Sequence, residues 1–183
     1  KTAQGFVDAL EKELAAALTQ DYWGITLPNN LESSSSNSTA LSGYLAAQCL
    51  LQAPVLFSDK KLVDQLEPSL RGKRKAIERH HLFPKAYLEK NGIRETKAIN
   101  QIANMAHLEW LDNSGIKDAA PKDYLPEMRK RFTAPTWERM CKLHALPEGW
   151  EAMPYETFLQ KRRVLMAKIT QEGYLSLLRS SDP

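Results

Sequence analysis

The chain has 183 residues, a formal net charge of +3 and 43% hydrophobic residues. This length and composition allow one globular domain with a sizeable core and some decoration, or a domain and a half. A net charge this small does not by itself indicate a nucleic-acid-binding protein. No signal peptide and no membrane-spanning run is recognisable, so a cytoplasmic protein without membrane contact is predicted.

Helical periodicity dominates the first part of the chain. Apolar residues recur at helical spacing over about residues 2–19 and predict a helix there. These residues are Phe6, Val7, Leu10, Leu14 and Leu18. An extended segment is expected at residues 22–28 and a serine-rich loop at residues 33–38. Further helices are predicted at residues 41–52 and 59–66, each followed by a proline that ends it.

Two adjacent histidines, His80 and His81, are the most informative feature of a chain with only four histidines. A strand is predicted over about residues 76–81, and Pro84 cannot continue it as a central strand. Successive side chains of a strand point to opposite faces, so neighbouring imidazoles can serve one site only where the strand ends or bends. An imidazole that binds a cation beside one that accepts a proton is a hydrolytic arrangement.

Two asparagines follow the histidine pair along the chain. Asn104 lies 23 residues after His81, and Asn113 lies nine residues after Asn104. A short second strand is predicted at about residues 105–108, and a helix is predicted to begin near Asn113. Lys117 lies four residues after Asn113 and would share its face on a continuous helix. Taken alone, each asparagine would be interpreted as a turn or cap residue.

The histidine pair followed by Phe83 and Pro84, with the two asparagines at this spacing, resembles the motif of HNH (ββα-metal) endonucleases. The wider sequence is similar to the C-terminal nuclease module of GmrSD-like restriction proteins and SspE-like phosphorothioate-sensing defence proteins. The similar stretches are residues 21–23, 55–58, 80–88, 99–104, 110–113 and 121–125. In that branch a nucleotide-hydrolysing domain precedes the module. We therefore expect such a domain before this chain in a longer protein.

The resemblance implies a role for each residue of the motif. His80 and Asn113 would bind one divalent cation, Mg²⁺ or Mn²⁺, and His81 would be the general base. Asn104 would hold the loop and orient the base, and Lys117 would contact the scissile phosphate of DNA. Many relatives have Asp in place of His80. A neutral imidazole there removes one negative charge from the metal site and favours cations that bind nitrogen.

Clusters of basic residues are further candidates for contact with DNA phosphates. The first cluster directly precedes the predicted site strand. Its basic residues are Arg71, Lys73, Arg74 and Lys75. The other two clusters cover residues 129–131 and 161–163. For each cluster a solvated surface without a role in binding is the alternative interpretation.

The other two histidines and the two cysteines carry no recognisable site. His107 lies in the predicted second strand and His144 in a helical stretch, and both are expected to be packed or hydrogen-bonded residues. Cys49 and Cys141 are far apart and lack CxxC spacing, which argues against a structural zinc site. Free cysteines are typical of a reducing cytoplasm.

The expected fold is mainly α-helical with a small β hairpin. An HNH ββα-metal core is predicted at residues 71–130, between helical regions at residues 1–70 and 131–183. The last region contains helices at about residues 136–143 and 156–178, and its tryptophans, Trp137 and Trp150, are expected to pack in the core.

The predicted function is metal-dependent nicking of DNA by a bacterial restriction or antiviral defence protein. RNA stays open as a substrate, and a double-strand break would need a dimer or two successive nicks. The alternatives are a nucleic-acid-binding or interaction domain that keeps the motif without catalysis, and a helical domain in which the histidines are incidental.

Overall fold

The structure is a computed structural model that describes residues 2–66, 77–109 and 116–180. These residues form a mainly helical fold with one two-stranded antiparallel sheet. The helices are α1 (Ala3–Ala17), α2 (Leu27–Asn30), α3 (Thr39–Leu50), α4 (Leu62–Leu66), α5 (Lys85–Lys90), α6 (Thr96–Ile99), α7 (Pro121–Arg129), α8 (Ala134–Leu143) and α9 (Tyr155–Ser180). The strands are β1 (Ile77–His81) and β2 (Met105–Glu109). Tyr22–Thr26 is π-helical, and Ile102–Asn104 and Trp150–Ala152 are 3₁₀ turns.

The longer helices predicted from apolar periodicity are confirmed, with ends shifted by a few residues. Three of them, α1, α3 and α8, begin after a hydroxyl-bearing cap residue: Thr2, Ser38 and Thr133. Each hydroxyl oxygen accepts a hydrogen bond from the backbone N–H three residues later. Such a cap satisfies one of the N–H groups that have no partner within the helix, and this fixes where the helix begins.

The extended segment expected at residues 22–28 is wrong, because Tyr22–Thr26 is π-helical and continues into α2. Pro28 lies in the first turn of α2, where its missing N–H costs no helical hydrogen bond. The ring of Trp23 packs on Tyr174 of α9 with centroids 5.8 Å apart. Packing against a distant helix therefore overrides the local signal for a break.

Both predicted strands are present, and they pair as an antiparallel hairpin. His81 lies opposite Met105, and His80 lies opposite Ala106. The backbone N–H of Leu56 donates to the carbonyl of His107 at 3.1 Å. This bond attaches the loop between α3 and α4 to β2. The helix that would complete a ββα unit is predicted to begin near Asn113, which lies outside the described residues.

A single large core cluster contains residues from all three predicted regions, 1–70, 71–130 and 131–183. Its aromatic centre is Phe83, which lies two residues after the end of strand β1. Rings around it have centroids within 6.2 Å and belong to Tyr87, Trp150, Tyr155 and Phe158. The expectation that Trp137 and Trp150 pack in the core is confirmed, since they are 8% and 2% exposed.

Helices α3 and α9 touch at Gly173. A Cβ atom at this position would lie 2.5 Å from Cβ of Ala47 and 2.7 Å from its Cα. No side chain fits at such distances, so the contact requires glycine. The long C-terminal helix is thereby held against α3 and forms one wall of the core.

Helix α1 differs from the others because none of its residues is buried. Its apolar stripe is exposed: Phe6 is 67% exposed and Leu10 is 49% exposed. None of the helices in the described ranges combines the length and the apolar character that crossing a lipid bilayer requires.

Candidate functional site

His81 is the last residue of β1 and is half-buried. Its Nε2 lies 2.8 Å from Oδ1 of Asn100, the residue that ends α6. An amide oxygen only accepts hydrogen bonds, so this contact places the imidazole proton on Nε2. The other nitrogen, Nδ1, is then the one able to accept a proton, as a general base requires.

Asn104 is fully buried and uses its whole amide group to hold the surrounding backbone. Oδ1 accepts a hydrogen bond from the N–H of Phe83 at 2.9 Å, and Nδ2 donates to the carbonyl of Phe83 at 3.1 Å. Nδ2 also donates to the carbonyl of Ile99 at 3.0 Å. One side chain therefore connects the turn after His81 to the end of α6, where Asn100 lies.

The two residues after His81 have all four of their backbone polar groups paired. The N–H of Leu82 donates to the carbonyl of Asn104 at 2.8 Å. The carbonyl of Leu82 accepts from the hydroxyl of Tyr124 at 2.7 Å. The N–H and carbonyl of Phe83 bond the Asn104 side chain, as described above. This turn is therefore fixed by Asn104 and Tyr124.

Arg162 of α9 holds the segment around Asn104 from the other side. It is fully buried, and Nη1 donates to the carbonyls of Ala103 and Met105, each at 2.9 Å. Nε and Nη2 donate to the carbonyl of His144 at 3.3 and 3.2 Å. Burial lowers the pKa of Arg162. The guanidinium thus brackets Asn104 by bonding the residue on each side of it.

The expectation of a basic surface cluster at residues 161–163 is wrong for Arg162, because its side chain is in the core. The neighbouring Arg163 pairs with Glu32 at 3.2 Å. A buried arginine needs carbonyl or carboxylate partners, and these come from elements distant in sequence. The run of three basic residues therefore looked like a solvated face although its middle residue is structural.

His80 is 8% exposed and faces Ala106 of β2. The pleat of a strand directs His80 and His81 to opposite faces of the hairpin. The strand stops at His81, so a site shared by the two imidazoles has to lie beyond that end. Among the described residues, no group of three or more His, Cys, Asp or Glu side chains is placed to hold a metal ion.

Several residues predicted for the site fall outside the described ranges. These are Asn113 and the first basic cluster, Arg71, Lys73, Arg74 and Lys75. Lys117 is described: it is exposed, lies in a turn and has a φ of 49°. A left-handed residue is typical of a helix end, and Asn113, whose helical face Lys117 is expected to share, lies outside the described residues.

The two remaining histidines are packed, as the sequence predicted. Nε2 of His144 donates to the carbonyl of Pro54 at 2.8 Å, and burial lowers the pKa of His144 to about 3. Burial, together with the nearby charge of Arg79, lowers the pKa of His107 to about 4. Both imidazoles are therefore neutral at pH 7.

Asn100 and Tyr124 are the residues of this site that the sequence analysis missed. Asn100 lies 19 residues from His81, and Tyr124 lies 42 residues from Leu82. Both lie in stretches similar to the nuclease module, residues 99–104 and 121–125, but no role was assigned to them, because their contacts depend on how α6 and α7 pack against the hairpin. Asn100 follows the apolar residue Ile99, and nothing in this local sequence indicates that Asn100 hydrogen-bonds His81.

Comparison of the chain with protein-family models, with curated proteins and with solved structures gives no match.

Proposed function

We propose that this chain is a metal-dependent endonuclease of the HNH type that nicks DNA, with His81 as the general base. The observation that carries the proposal is the 2.8 Å contact between Nε2 of His81 and Oδ1 of Asn100. It leaves Nδ1 as a proton acceptor on an imidazole whose supporting turn is fully hydrogen-bonded. The resemblance of the motif to nuclease modules of restriction and defence proteins favours DNA as the substrate.

The proposal includes one divalent cation, Mg²⁺ or Mn²⁺, held by His80 and Asn113. The amide oxygen of Asn113 is the type of ligand that Mg²⁺ and Mn²⁺ prefer, whereas the imidazole of His80 favours cations that bind nitrogen. His80 lies directly before the base in the same strand. Two neutral ligands fit a weak site that is completed by water and by the substrate phosphate. When bound, the ion would offset the negative charge that develops on the phosphate and the leaving oxygen.

The residues of the chain have separate tasks in this mechanism. Nδ1 of His81 would take a proton from the water that attacks the phosphorus atom, and the 3′ oxygen would leave. The Oδ1 atom of Asn100 would accept the Nε2–H throughout and stabilise the imidazolium that forms. Asn104 would keep the turn after His81 and the end of α6 at a constant separation, so that the base and its partner stay aligned.

Nicking of supercoiled plasmid tests the proposal directly. The wild type should nick with Mg²⁺ or Mn²⁺ and should stop when EDTA is added. His81→Ala should reduce the rate by about 10²-fold or more, because proton removal contributes on that order. Met105→Ala is the matched control, since Met105 lies directly across the hairpin from His81 and carries no proton acceptor. Its rate should stay close to that of the wild type.

The same assay separates the proposal from its alternatives. Cleavage that survives thorough chelation would remove the metal from the mechanism, and equal rates for His81→Ala and the wild type would remove the base. A folded wild type that binds DNA without nicking it would be a binding module that keeps the motif. Cleavage of RNA in place of DNA would keep the mechanism and change the substrate.

A further inference from the structure

We infer that Tyr124 is a positioning residue for His81, and this inference rests on the proposed nuclease function. Tyr124 lies in α7, and its hydroxyl donates to the carbonyl of Leu82 at 2.7 Å. Leu82 directly follows His81, so the peptide group that Tyr124 holds is one residue from the imidazole. Tyr124 does not touch the reacting atoms; it acts through the backbone.

The hydroxyl of Tyr124 is a permanent donor in a rigid setting. The side chain is 6% exposed, and its ring packs near Phe57 and Trp150, each with centroids 6.4 Å apart. Burial raises the pKa of Tyr124 far above its usual range, so the hydroxyl keeps its proton at any working pH. The aromatic contacts fix the ring, and the ring in turn fixes the direction of the O–H group.

The Leu82 carbonyl depends on this one side chain. Of the four backbone polar groups of Leu82 and Phe83, three bond Asn104 and one bonds Tyr124. Leu82 is fully buried, so water does not replace a lost donor easily. A carbonyl without its donor turns toward another partner, and this strains the peptide between Leu82 and Phe83. The strain passes through Leu82 to the backbone angles of His81. Because rotamer preference depends on backbone angles, the imidazole then leaves its alignment with Asn100.

The substitution Tyr124→Phe removes one oxygen atom and keeps the ring. In the plasmid assay we expect kcat to fall about tenfold, while KM stays within about twofold, since misalignment of the base affects the transition state rather than DNA binding. Tyr44→Phe is the matched control. Tyr44 is also buried, and its hydroxyl also donates to a backbone carbonyl, that of Leu143 at 3.3 Å. It lies beside Arg162 but does not contact the turn after His81. Its kcat should stay within about twofold of the wild type.

A second measurement does not depend on activity. Long-range ¹H–¹⁵N NMR spectra distinguish an imidazole protonated at Nε2 from one protonated at Nδ1. His81 should be the Nε2–H form in the wild type and in Tyr124→Phe should become a mixture, whereas Tyr44→Phe should keep the wild-type form. If the wild type does not nick but this shift occurs, the positioning role stands and the proposed function fails.

Rescue completes the test and covers a failure to fold. Replacing Tyr124 with p-aminophenylalanine restores an N–H donor at the same place, so kcat and the His81 tautomer should return close to those of the wild type. If Tyr124→Phe does not fold, the p-aminophenylalanine variant alone tests the inference. A tenfold lower kcat in that variant then overturns it. An unchanged kcat with an unchanged tautomer in Tyr124→Phe overturns it as well, as does an equal loss in Tyr44→Phe.

Discussion

Helices α1 and α9 both have apolar residues at helical spacing in the sequence, but α1 is exposed in the structure and α9 packs against the core. Helix α1 buries none of its residues, and its apolar stripe is exposed. Helix α9 buries a full face. The buried residues of that helix are Tyr155, Phe158, Leu159, Arg162, Met166, Ala167, Ile169 and Gly173. Apolar periodicity therefore predicts a helix but does not predict whether that helix packs against the rest of the protein.

Features other than periodicity distinguish the docked helix. Gly173 lets α9 approach Ala47 of α3 more closely than any residue with a Cβ would allow. Arg162 reaches three backbone carbonyls across the core. In α1, by contrast, the hydrogen bond from the N–H of Gly5 to the Thr2 hydroxyl joins residues of the same helix end. The first helix is thus stabilised locally and the last one by the rest of the molecule.

The largest effect is expected from Arg162→Met. The substitution removes the guanidinium that donates to the carbonyls of Ala103, Met105 and His144. Each buried carbonyl left without this donor destabilises the folded state by roughly 1 kcal/mol or more. The free energy of unfolding, measured by urea titration, should therefore fall by about 3 kcal/mol or more. The matched control is Lys161→Met, which changes an exposed basic residue of the same run and should cost about 0.5 kcal/mol or less. Equal losses at the two positions would contradict the role given to Arg162.

A pair of glycine substitutions compares the two helices directly. Gly173→Ala places a Cβ against Ala47 and should lower the free energy of unfolding by about 1–3 kcal/mol. Gly5→Ala meets only the Thr2 hydroxyl at 3.4 Å, so it should raise the helicity of α1 by circular dichroism. Because α1 buries nothing, the urea midpoint of Gly5→Ala should match the wild type. A stability gain or loss at Gly5 as large as that at Gly173 would show that α1 is docked.

The pH dependence of stability reports on the core beneath α9. The pKa of His144 falls from 6.5 to about 3 on folding. Below pH 6.5 the unfolded chain therefore takes up a proton that the folded chain refuses, and stability falls with acidification until about pH 3. The slope is at most about 1.4 kcal/mol per pH unit for each such histidine. His107, whose pKa is about 4, adds a slope of the same sign.

Urea titrations at pH 7, 6 and 5 measure this slope. His144→Asn should be less stable than the wild type at pH 7 but should lose less stability between pH 6 and pH 5. The slope that remains includes that of His107. An unchanged slope in His144→Asn would mean that the imidazole is accessible to protons in the folded protein.

The smallest effect is expected on α1. Leu10→Ala changes a side chain that is 49% exposed, so the free energy of unfolding should change by no more than about 0.5 kcal/mol. Leu159→Ala on α9 is the reference, since Leu159 is 2% exposed and truncation of a buried leucine costs about 2–5 kcal/mol. Similar losses for the two leucines would remove the distinction between the helices.

The parts of the fold that could be predicted from the sequence are those set by local patterns. The longer helices and the two strands follow from apolar spacing and from prolines. The short helices α5, α6 and α7 were not predicted, since four to nine residues give too few repeats and α7 contains Pro126. Residues 22–28 were mispredicted because the packing of Trp23 against α9 is not visible locally.

The site was predictable to the same extent. The histidine pair and Asn104 stand out through a motif, and the structure places Asn104 against the turn that follows His81. No role could be assigned to Asn100, Tyr124 and Arg162 in this way, because their partners are 19, 42 and 59 residues away. Buried polar contacts of this kind depend on the packed core, and Arg162 even stands among basic neighbours that suggest a solvated face.

The hydrogen bonds from Arg162 to the backbone on both sides of Asn104 have a consequence for when this segment is fixed during protein synthesis. A ribosome makes β1, Asn104 and β2 long before it makes α9, and 59 residues separate Ala103 from the arginine that bonds it. Until that helix has emerged and docked, the carbonyls on both sides of Asn104 lack their donor. Under the proposed function, a nascent chain would therefore carry His81 before the segment around Asn104 is held in place. Under that proposal, cutting would begin only after α9 has docked.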